Sequence, residues 1–141
     1  MRCVVDTIVW LSGLANASAA PGALVGRIIA GDVTPVFSRE SFAELAEVLH
    51  RPRILRWLSL TGLEAIDFLD LVEEISEFVT PLNRLPVSVR DPKDRKILAV
   101  ALGRPRAVAL VTGDIDLLVL QGSVGINVLS PAAFVERYPV R

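Results

Sequence analysis

The sequence predicts an α/β protein in which helices cover both faces of a central parallel sheet. Short strand-like segments alternate along the chain with segments of helical spacing, which is the order expected of a parallel sheet. The strand-like segments are continuously apolar, as in strands that are buried on both faces. Hydrophobic residues make up 52% of the 141 residues, and the mean hydropathy is +0.50. We therefore expect one domain, residues 1–141, built as a three-layer α/β/α sandwich.

The predicted strands are four short apolar runs that are bounded by turn or helix signals. They are Arg2–Val5, Thr34–Phe37, Ala107–Val111 and Ile126–Leu129. Sheets of this kind bind ligands beyond the carboxyl ends of their strands. The residues that follow these runs are therefore the first candidates for a functional site.

The predicted helices are indicated by capping residues and by apolar positions three or four residues apart. Ser38 and Asp91 are suitable N-caps, and a proline opens three of the helices. The helices expected are Pro21–Ala30, Arg39–Leu49, Leu63–Phe78, Pro92–Leu102 and a last one from Pro131 to about Arg137. We expect Arg51-Pro52 to end the second helix and Pro81–Val89 to be irregular.

Composition limits the classes of protein to which this chain can belong. Its longest apolar stretches, Ile97–Leu102 and Ala107–Thr112, fall far short of the roughly 18 residues that a membrane-spanning helix needs. Asp6 stands where a secretory signal would have its apolar core, so we expect a cytoplasmic protein. The single cysteine, Cys3, excludes a disulfide within the chain and is expected to be a small buried hydrophobe. A net charge of −1 means that any RNA contact must come from local basic patches.

Three carboxylates follow predicted strands. Asp6 follows the first strand, and a lone carboxylate there is costly unless it is paired, hydrogen-bonded or bound to metal. Asp114 and Asp116 follow the third strand in the segment Thr-Gly-Asp-Ile-Asp. They suit either a hard cation or an ordinary turn and helix start. We favour a functional role for Asp6, and both interpretations stay open for Asp114 and Asp116.

Two further acids lie on predicted helices. Glu44 stands at the edge of the apolar face of its helix, so it can point along the top of the sheet or belong to a solvated stripe. Glu40 and Glu47 lie nearly opposite that face and are expected to be solvated. Asp94 follows the N-cap by three residues, and spacing alone favours a capping role for it. The spacing of Glu44 favours neither role.

The residue types of this set narrow the chemistry. Carboxylates without cysteine or a second histidine suit Mg²⁺ or Mn²⁺ rather than zinc. Several carboxylates at one edge repel one another unless a cation neutralises them. The single histidine, His50, is expected to be structural or on the surface, and the sequence contains no nucleophile elbow, Walker loop or dinucleotide-binding glycine motif. Triad hydrolases and nucleotide-cofactor enzymes are therefore disfavoured.

Four motifs follow one another along nearly the whole chain. They are Val4-Val5-Asp6-Thr7, then Ser38 with Glu44-Leu45, Val48-Leu49 and Arg51-Pro52, then Arg90-Asp91-Pro92 with Asp94 and Lys96, and finally Val111-Thr112-Gly113-Asp114 with Asp116-Leu117-Leu118. In this order and spacing they resemble the PIN domain family. More narrowly, they resemble the VapC-related toxin components of bacterial and archaeal toxin–antitoxin systems.

The resemblance implies a five-stranded parallel sheet between helices and an endoribonuclease that depends on Mg²⁺ or Mn²⁺. The family's acidic quartet is matched by Asp6, Glu44, Asp94 and Asp114. A further metal-binding acid is matched by Asp116, and the threonines that flank the site are matched by Thr7 and Thr112. The resemblance also implies an RNA substrate and a cognate antitoxin protein. The apolar composition adds the expectation of a homodimer or a higher homo-oligomer.

Seven basic residues are candidates for contacts with the RNA backbone. They are Arg51, Arg53, Arg56, Arg90, Lys93, Arg95 and Lys96. Each is equally compatible with a solvated surface charge. Arg95 and Lys96 follow Asp94 so closely that one of them can instead neutralise the acids.

The chain departs from the family at its first motif. Members usually have Asp-Thr-Asn there, whereas this chain has Asp6-Thr7-Ile8. In a strand that continued past Asp6, Ile8 would face the same way, where an amide could support a ligand carboxylate. We therefore expect weakened activity. Residue 95 is also an arginine where an acid is frequent in the VapC-related group.

Two alternative functions remain at this stage. The first is a PIN interaction module with weakened cleavage, which the isoleucine at position 8 favours. The second is a phosphoacceptor receiver domain, which is also a small parallel α/β protein with acids at its strand ends. That fold needs paired acids after its first strand and a lysine at the end of its last strand. Here Asp6 is alone, and the residue that follows the last predicted strand is Ser130.

Overall fold

A computed structural model describes residues 1–140 of the chain. Within them, five parallel strands form one sheet in the order β3-β2-β1-β4-β5. The strands are β1 (Arg2–Val5), β2 (Thr34–Phe37), β3 (Glu77–Phe78), β4 (Ala109–Val111) and β5 (Asn127–Leu129). In the central register, Val5 lies opposite Val111, and Val111 lies opposite Leu129. The parallel sheet that the sequence predicts is therefore confirmed.

Eight helices connect and cover these strands within residues 1–140. They are α1 (Thr7–Ala15), α2 (Ala20–Ile29), α3 (Arg39–Leu49), α4 (Pro52–Leu58), α5 (Gly62–Ile75), α6 (Pro92–Ala101), α7 (Ile115–Leu118) and α8 (Pro131–Arg137). No single helix in this part of the chain is long and apolar enough to cross a membrane, and α1 and α2 reach that length together only across a bend of 96°.

The core has two halves, one on each face of the sheet. Successive side chains of a strand point to opposite faces, so Val5 belongs to one half and Val4 to the other. Helices α1, α2, α3, α5 and α8 contribute buried residues to the larger half, such as Trp10 and Phe134. Helices α6 and α7 contribute Leu98 and Leu117 to the smaller half. The molecule is therefore a three-layer α/β/α sandwich, as predicted.

Helices α1 and α4 were not predicted from the sequence, and the short α7 was only one of two interpretations of Asp114 and Asp116. Helix α1 is apolar on nearly every side and buries Val9, Trp10 and Leu11, so it lacks the polar face that reveals an amphipathic helix. Helix α4 starts at Pro52, the residue that was expected only to end α3. Proline can begin a helix, because the first position of a helix needs no N–H donor, and it cannot continue the helix before it.

The predicted helix Leu63–Phe78 is wrong in its last turn. Helix α5 ends at Ile75, and Glu77 and Phe78 form β3, which pairs with β2. The ring of Phe78 stacks with Phe37 of β2 at a centroid distance of 6.3 Å. This pairing joins distant parts of the chain, so no local pattern predicts it. The other predicted elements agree with the structure to within one or two residues at their ends.

Candidate metal centre

The order in which strands are added to the sheet reverses between β1 and β4. From β1 the chain extends the sheet through β2 and β3 on one side, and later through β4 and β5 on the other. In open parallel sheets, ligands bind at such a switch point, beyond the carboxyl ends of the strands. Asp6 follows β1 and Thr112 follows β4, so both lie at this point.

Asp6 connects the end of β1 to the start of α1. Its backbone N–H donates to the carbonyl of Val111 at 2.9 Å and so extends the β1–β4 ladder by one bond. Its side chain caps no helix N–H and instead accepts a hydrogen bond from the Thr112 hydroxyl, with a distance of 2.8 Å between Oγ1 and Oδ2. Burial raises the pKa of Asp6, while hydrogen bonds from the Thr112 hydroxyl and the Thr7 backbone lower it. The nearby carboxylates of Asp114 and Glu44 add smaller upward shifts to this pKa.

Thr112 links the ends of the two central strands. It is fully buried, and while its hydroxyl donates to Asp6 it accepts the backbone N–H of Asp114 at 3.0 Å. Asp114 is in turn the N-cap of α7, and its Oδ1 accepts the backbone N–H of Asp116 at 2.9 Å. One buried hydroxyl thus fixes the positions of two acids that come from different strands.

Asp94 is buried, although it lies on the first turn of a helix. Its residue is only 6% exposed, and its Oδ2 has no hydrogen-bond partner among residues 1–140. Asp91 alone caps α6, by accepting the backbone N–H of Lys93 at 2.9 Å, so the capping role that spacing favours for Asp94 is wrong. Burial and the facing carboxylate of Asp114 raise the pKa of Asp94 to about 6.

The carboxylates of Asp94, Asp114 and Asp116 form a cluster. One oxygen from each lies within 4.8 Å of the others. Two ligands of one divalent cation lie at most about 4–5 Å apart, because metal–oxygen bonds are about 2.0–2.6 Å long. The set contains only hard oxygen donors, and one of its members, Asp94, has a buried oxygen without a hydrogen-bond partner. These residues therefore fit a cation such as Mg²⁺ or Mn²⁺.

Glu44 lies on the wall of a cavity beside the cluster. It is exposed on α3 and lines, together with Asp6 and Asp94, a cavity of about 420 Å³. Asp114 and Asp116 are not among the residues that line this cavity. Three of the predicted quartet thus share the cavity wall, and the fourth, Asp114, joins Asp94 in the carboxylate cluster.

Charged pairs lie along the same cavity wall. Lys96 pairs with Glu40 at 3.1 Å, and Arg51 pairs with Glu47 at 2.9 Å. Both glutamates line the cavity and both stay exposed to solvent, as the sequence predicts. A glutamate four residues before an arginine was a signal for the second pair that the sequence analysis overlooked.

The other basic candidates are distributed unevenly. Lys93 also lines the cavity. The guanidinium of Arg95 donates to the carbonyls of Val89 and Arg90 at 2.9 Å and so fastens the segment before α6, away from the acids. Arg53, Arg56 and Arg90 are exposed and form no ion pair within residues 1–140.

Ile8 lies on the first turn of α1 and not on an extension of β1. The strand that would align it with Asp6 is therefore absent, because α1 begins at Thr7. Ile8 is 65% exposed, and with Thr7 it lines the cavity. Residue 8 thus lies on the cavity wall, as expected, but on a helix and not on a strand.

Comparison with known proteins agrees with this architecture. A family model described as PIN domain matches residues 2–116. The chain is similar to a protein of Methanocaldococcus jannaschii that is named "Uncharacterized protein MJ1680". The two are 24% identical over 146 residues, which cover 98% of this chain and 92% of the relative. No solved structure gives a significant match. The receiver-domain alternative is wrong, since receiver sheets have the order 2-1-3-4-5, whereas this sheet has the order 3-2-1-4-5. The chain therefore belongs to the PIN domain family.

Proposed function

We propose that this protein is a Mg²⁺- or Mn²⁺-dependent endoribonuclease and that it acts as the VapC-like toxin of a type II toxin–antitoxin pair. PIN domains are typically metal-dependent nucleases, and this chain has a carboxylate cluster that fits the cation. The observation that carries the proposal is that Asp94 has a buried, unpartnered oxygen and that its carboxylate clusters with two more. A buried charge without a partner is costly, and a cation removes that cost.

The chain's own residues divide the work. Asp94, Asp114 and Asp116 would hold the cation, while Asp6, fixed by Thr112, borders it from the cavity side. When bound, the cation lowers the pKa of a water and neutralises charge on the phosphodiester. Glu44, exposed on the cavity wall formed by α3, would accept a hydrogen bond from the attacking water and orient it.

The cavity's cations would bind the RNA backbone. Lys93, Lys96 and Arg51 line the cavity, and the latter two are paired with surface glutamates that a phosphate can replace. Exposed ion pairs of this kind contribute little to stability, so exchanging their partner costs little. We further propose a cytoplasmic location, a cognate antitoxin and a homodimer or higher homo-oligomer.

Cleavage of a short single-stranded RNA with and without Mn²⁺ tests the chemistry. We expect cleavage to require the cation, and we expect Asp94→Asn and Asp114→Asn each to lower the rate at least about 100-fold while the fold survives. Asp70→Asn makes the same chemical change at an exposed position of α5 and is the matched control. Unaltered cleavage in both site variants would refute the assignment. Growth arrest on expression, relieved by the product of a neighbouring gene, tests the toxin role.

A second candidate is a PIN interaction module that retains the metal site but cleaves weakly. It is favoured by the exposed Ile8, which puts an apolar side chain on the cavity wall where the family usually has an amide. The same assay separates the two. Metal binding without cleavage of any RNA supports the interaction module.

A further inference from the structure

One face of α4 combines exposed arginines with an exposed tryptophan. Arg53, Arg56 and Trp57 are three and four residues apart, which places them side by side on a helix. Trp57 is 57% exposed, whereas the chain's other tryptophan, Trp10, is 1% exposed. The opposite side of α4 packs on the core through Ile54, Leu55 and Leu58. Packing of the fold therefore does not explain why Trp57 is at the surface.

The charge on this face has no partner within the described chain. Arg53 and Arg56 form no ion pair and no side-chain hydrogen bond within residues 1–140. The neighbouring α5 carries several acids, but Glu64 closes the capping box at its own start, and none of them reaches these arginines. The α4 face is thus a patch of positive charge around an aromatic ring.

The face leads to the metal centre. Arg51, which directly precedes α4, lines the cavity that holds Asp6, Glu44 and Asp94. Trp57 follows Arg51 by six residues, which is about 9 Å along a helix axis. An RNA strand that reaches the acids past Arg51 can therefore lie along α4.

We infer that the α4 face binds single-stranded RNA on its path into the cavity, with Trp57 stacked on a base and Arg53 and Arg56 on adjacent phosphates. This inference rests on the proposed nuclease function. Arginines complement phosphates, and an exposed ring stacks on any base because every base has a π-face. A duplex keeps its bases stacked inside, so this face favours single strands.

Tryptophan fluorescence in a chelating buffer measures this binding without cleavage. Trp10 is buried against Phe37 and Phe68 and gives a constant background. We expect a single-stranded RNA of about ten nucleotides to quench the signal from Trp57, and the same sequence as a duplex to quench it less. The titration gives a dissociation constant and its salt dependence.

Variants separate stacking from apolar contact and from charge. Because those at position 57 lack the reporting tryptophan, all variants and the wild type are compared by the fluorescence anisotropy of a dye-labelled RNA of the same sequence. We expect Trp57→Leu to weaken binding at least about fivefold and Trp57→Phe to stay close to the wild type, because only the latter keeps a ring to stack. Arg53→Gln and Arg56→Gln should each reduce the slope of log affinity against log salt by about 0.7. Arg104→Gln, an exposed arginine in the segment that leads into β4, is the matched control and should leave that slope unchanged.

Three results would overturn the inference. They are equal affinity in Trp57→Leu, an unchanged salt slope in both arginine variants, and loss of self-association in Trp57→Leu with RNA affinity intact, which would make the face a subunit interface. The nuclease proposal is judged separately. If the α4 variants cleave RNA as efficiently as the wild type, only this inference is refuted. If the wild type binds RNA through α4 but never cleaves it, only the nuclease proposal is refuted.

Discussion

At the scale of single residues, the site depends on one buried hydroxyl. Thr112 donates to the carboxylate of Asp6 and accepts the backbone N–H of Asp114, and it is fully enclosed. A hydroxyl can do both at once, whereas an aliphatic side chain of the same shape can do neither. The position of two acids on different strands therefore depends on an atom that holds no metal itself.

Thr112→Val should damage both stability and metal binding. The change leaves Asp6 and the N–H of Asp114 without their partner, and we expect the free energy of unfolding to fall by about 1–3 kcal/mol. Loss of such support should weaken Mn²⁺ binding about 10- to 100-fold. Denaturant titration and Mn²⁺ titration measure these effects. Thr112→Ser keeps the hydroxyl and should keep most of the affinity; equal losses in both variants would show that only packing matters.

Ile8→Asn should strengthen the site. Ile8 lies on the cavity wall at 65% exposure, so the change should alter stability by no more than about 0.5 kcal/mol. An amide on this wall can donate a hydrogen bond to a carboxylate or to a water, and such support typically changes affinity or activity about 10- to 100-fold. Mn²⁺ affinity and cleavage rate in the two proteins provide the check. Equal values would show that the isoleucine is neutral.

At the scale of elements, the start of α6 separates two acids that the sequence places three residues apart. Asp91 caps the helix and stays exposed, which leaves Asp94 free to turn into the site. The N-cap therefore determines where the first turn begins, and with it the position of the buried carboxylate. Helix α3 is also capped at its start, by a reciprocal capping box of Ser38 and Ser41, and this cap sets where the helix that carries Glu44 begins.

Asp91→Ala should destabilise the protein and weaken metal binding together. Loss of a capping side chain costs about 0.5–2 kcal/mol, and fraying of the first turn displaces Asp94. Asp91→Asn preserves the cap while removing the charge, so it should retain both stability and Mn²⁺ affinity. Thermal unfolding with and without Mn²⁺ measures both quantities. Affinity that falls in Asp91→Asn as much as in Asp91→Ala would show that the charge, and not the cap, supports the site.

At the scale of the whole molecule, the fold concentrates negative charge at its switch point. The pKa values of Asp6 and Asp94 are both raised, chiefly by burial. A carboxyl group whose pKa is higher in the folded state binds more protons there than in the unfolded chain. Such a group therefore lowers the free energy of unfolding as the pH rises from its pKa in the unfolded chain to its pKa in the folded state.

Without metal, the Asp94 contribution should lower stability as the pH rises from 3.8, its ordinary pKa, to about 6. Asp94→Asn should remove this part of the pH dependence, whereas Asp70→Asn should not. Above pH 6, Mn²⁺ should raise the melting temperature of the wild type more than that of Asp94→Asn, because the cation binds the folded state. Melting curves at several pH values test both points, and identical curves for wild type and Asp94→Asn would contradict them.

The sequence by itself determined the layers of this protein and the set of acids worth examining. Apolar strands alternating with amphipathic helices are local patterns, and they predicted the parallel sheet with four of its five strands. The motifs around Asp6, Glu44, Asp94 and Asp114 predicted a site at one edge of that sheet. Local patterns succeed here because periodicity and capping depend on neighbours along the chain.

Only the tertiary structure decided which of these acids are buried and what faces them. The spacing of Asp94 favoured a cap, yet its neighbours in space enclose it beside Asp114. Helix α1 and strand β3 were missed because the former is apolar on nearly every side and the latter exists only by pairing with β2. Burial, strand pairing and the approach of carboxylates from separate elements are long-range properties, and no window of neighbouring residues contains them.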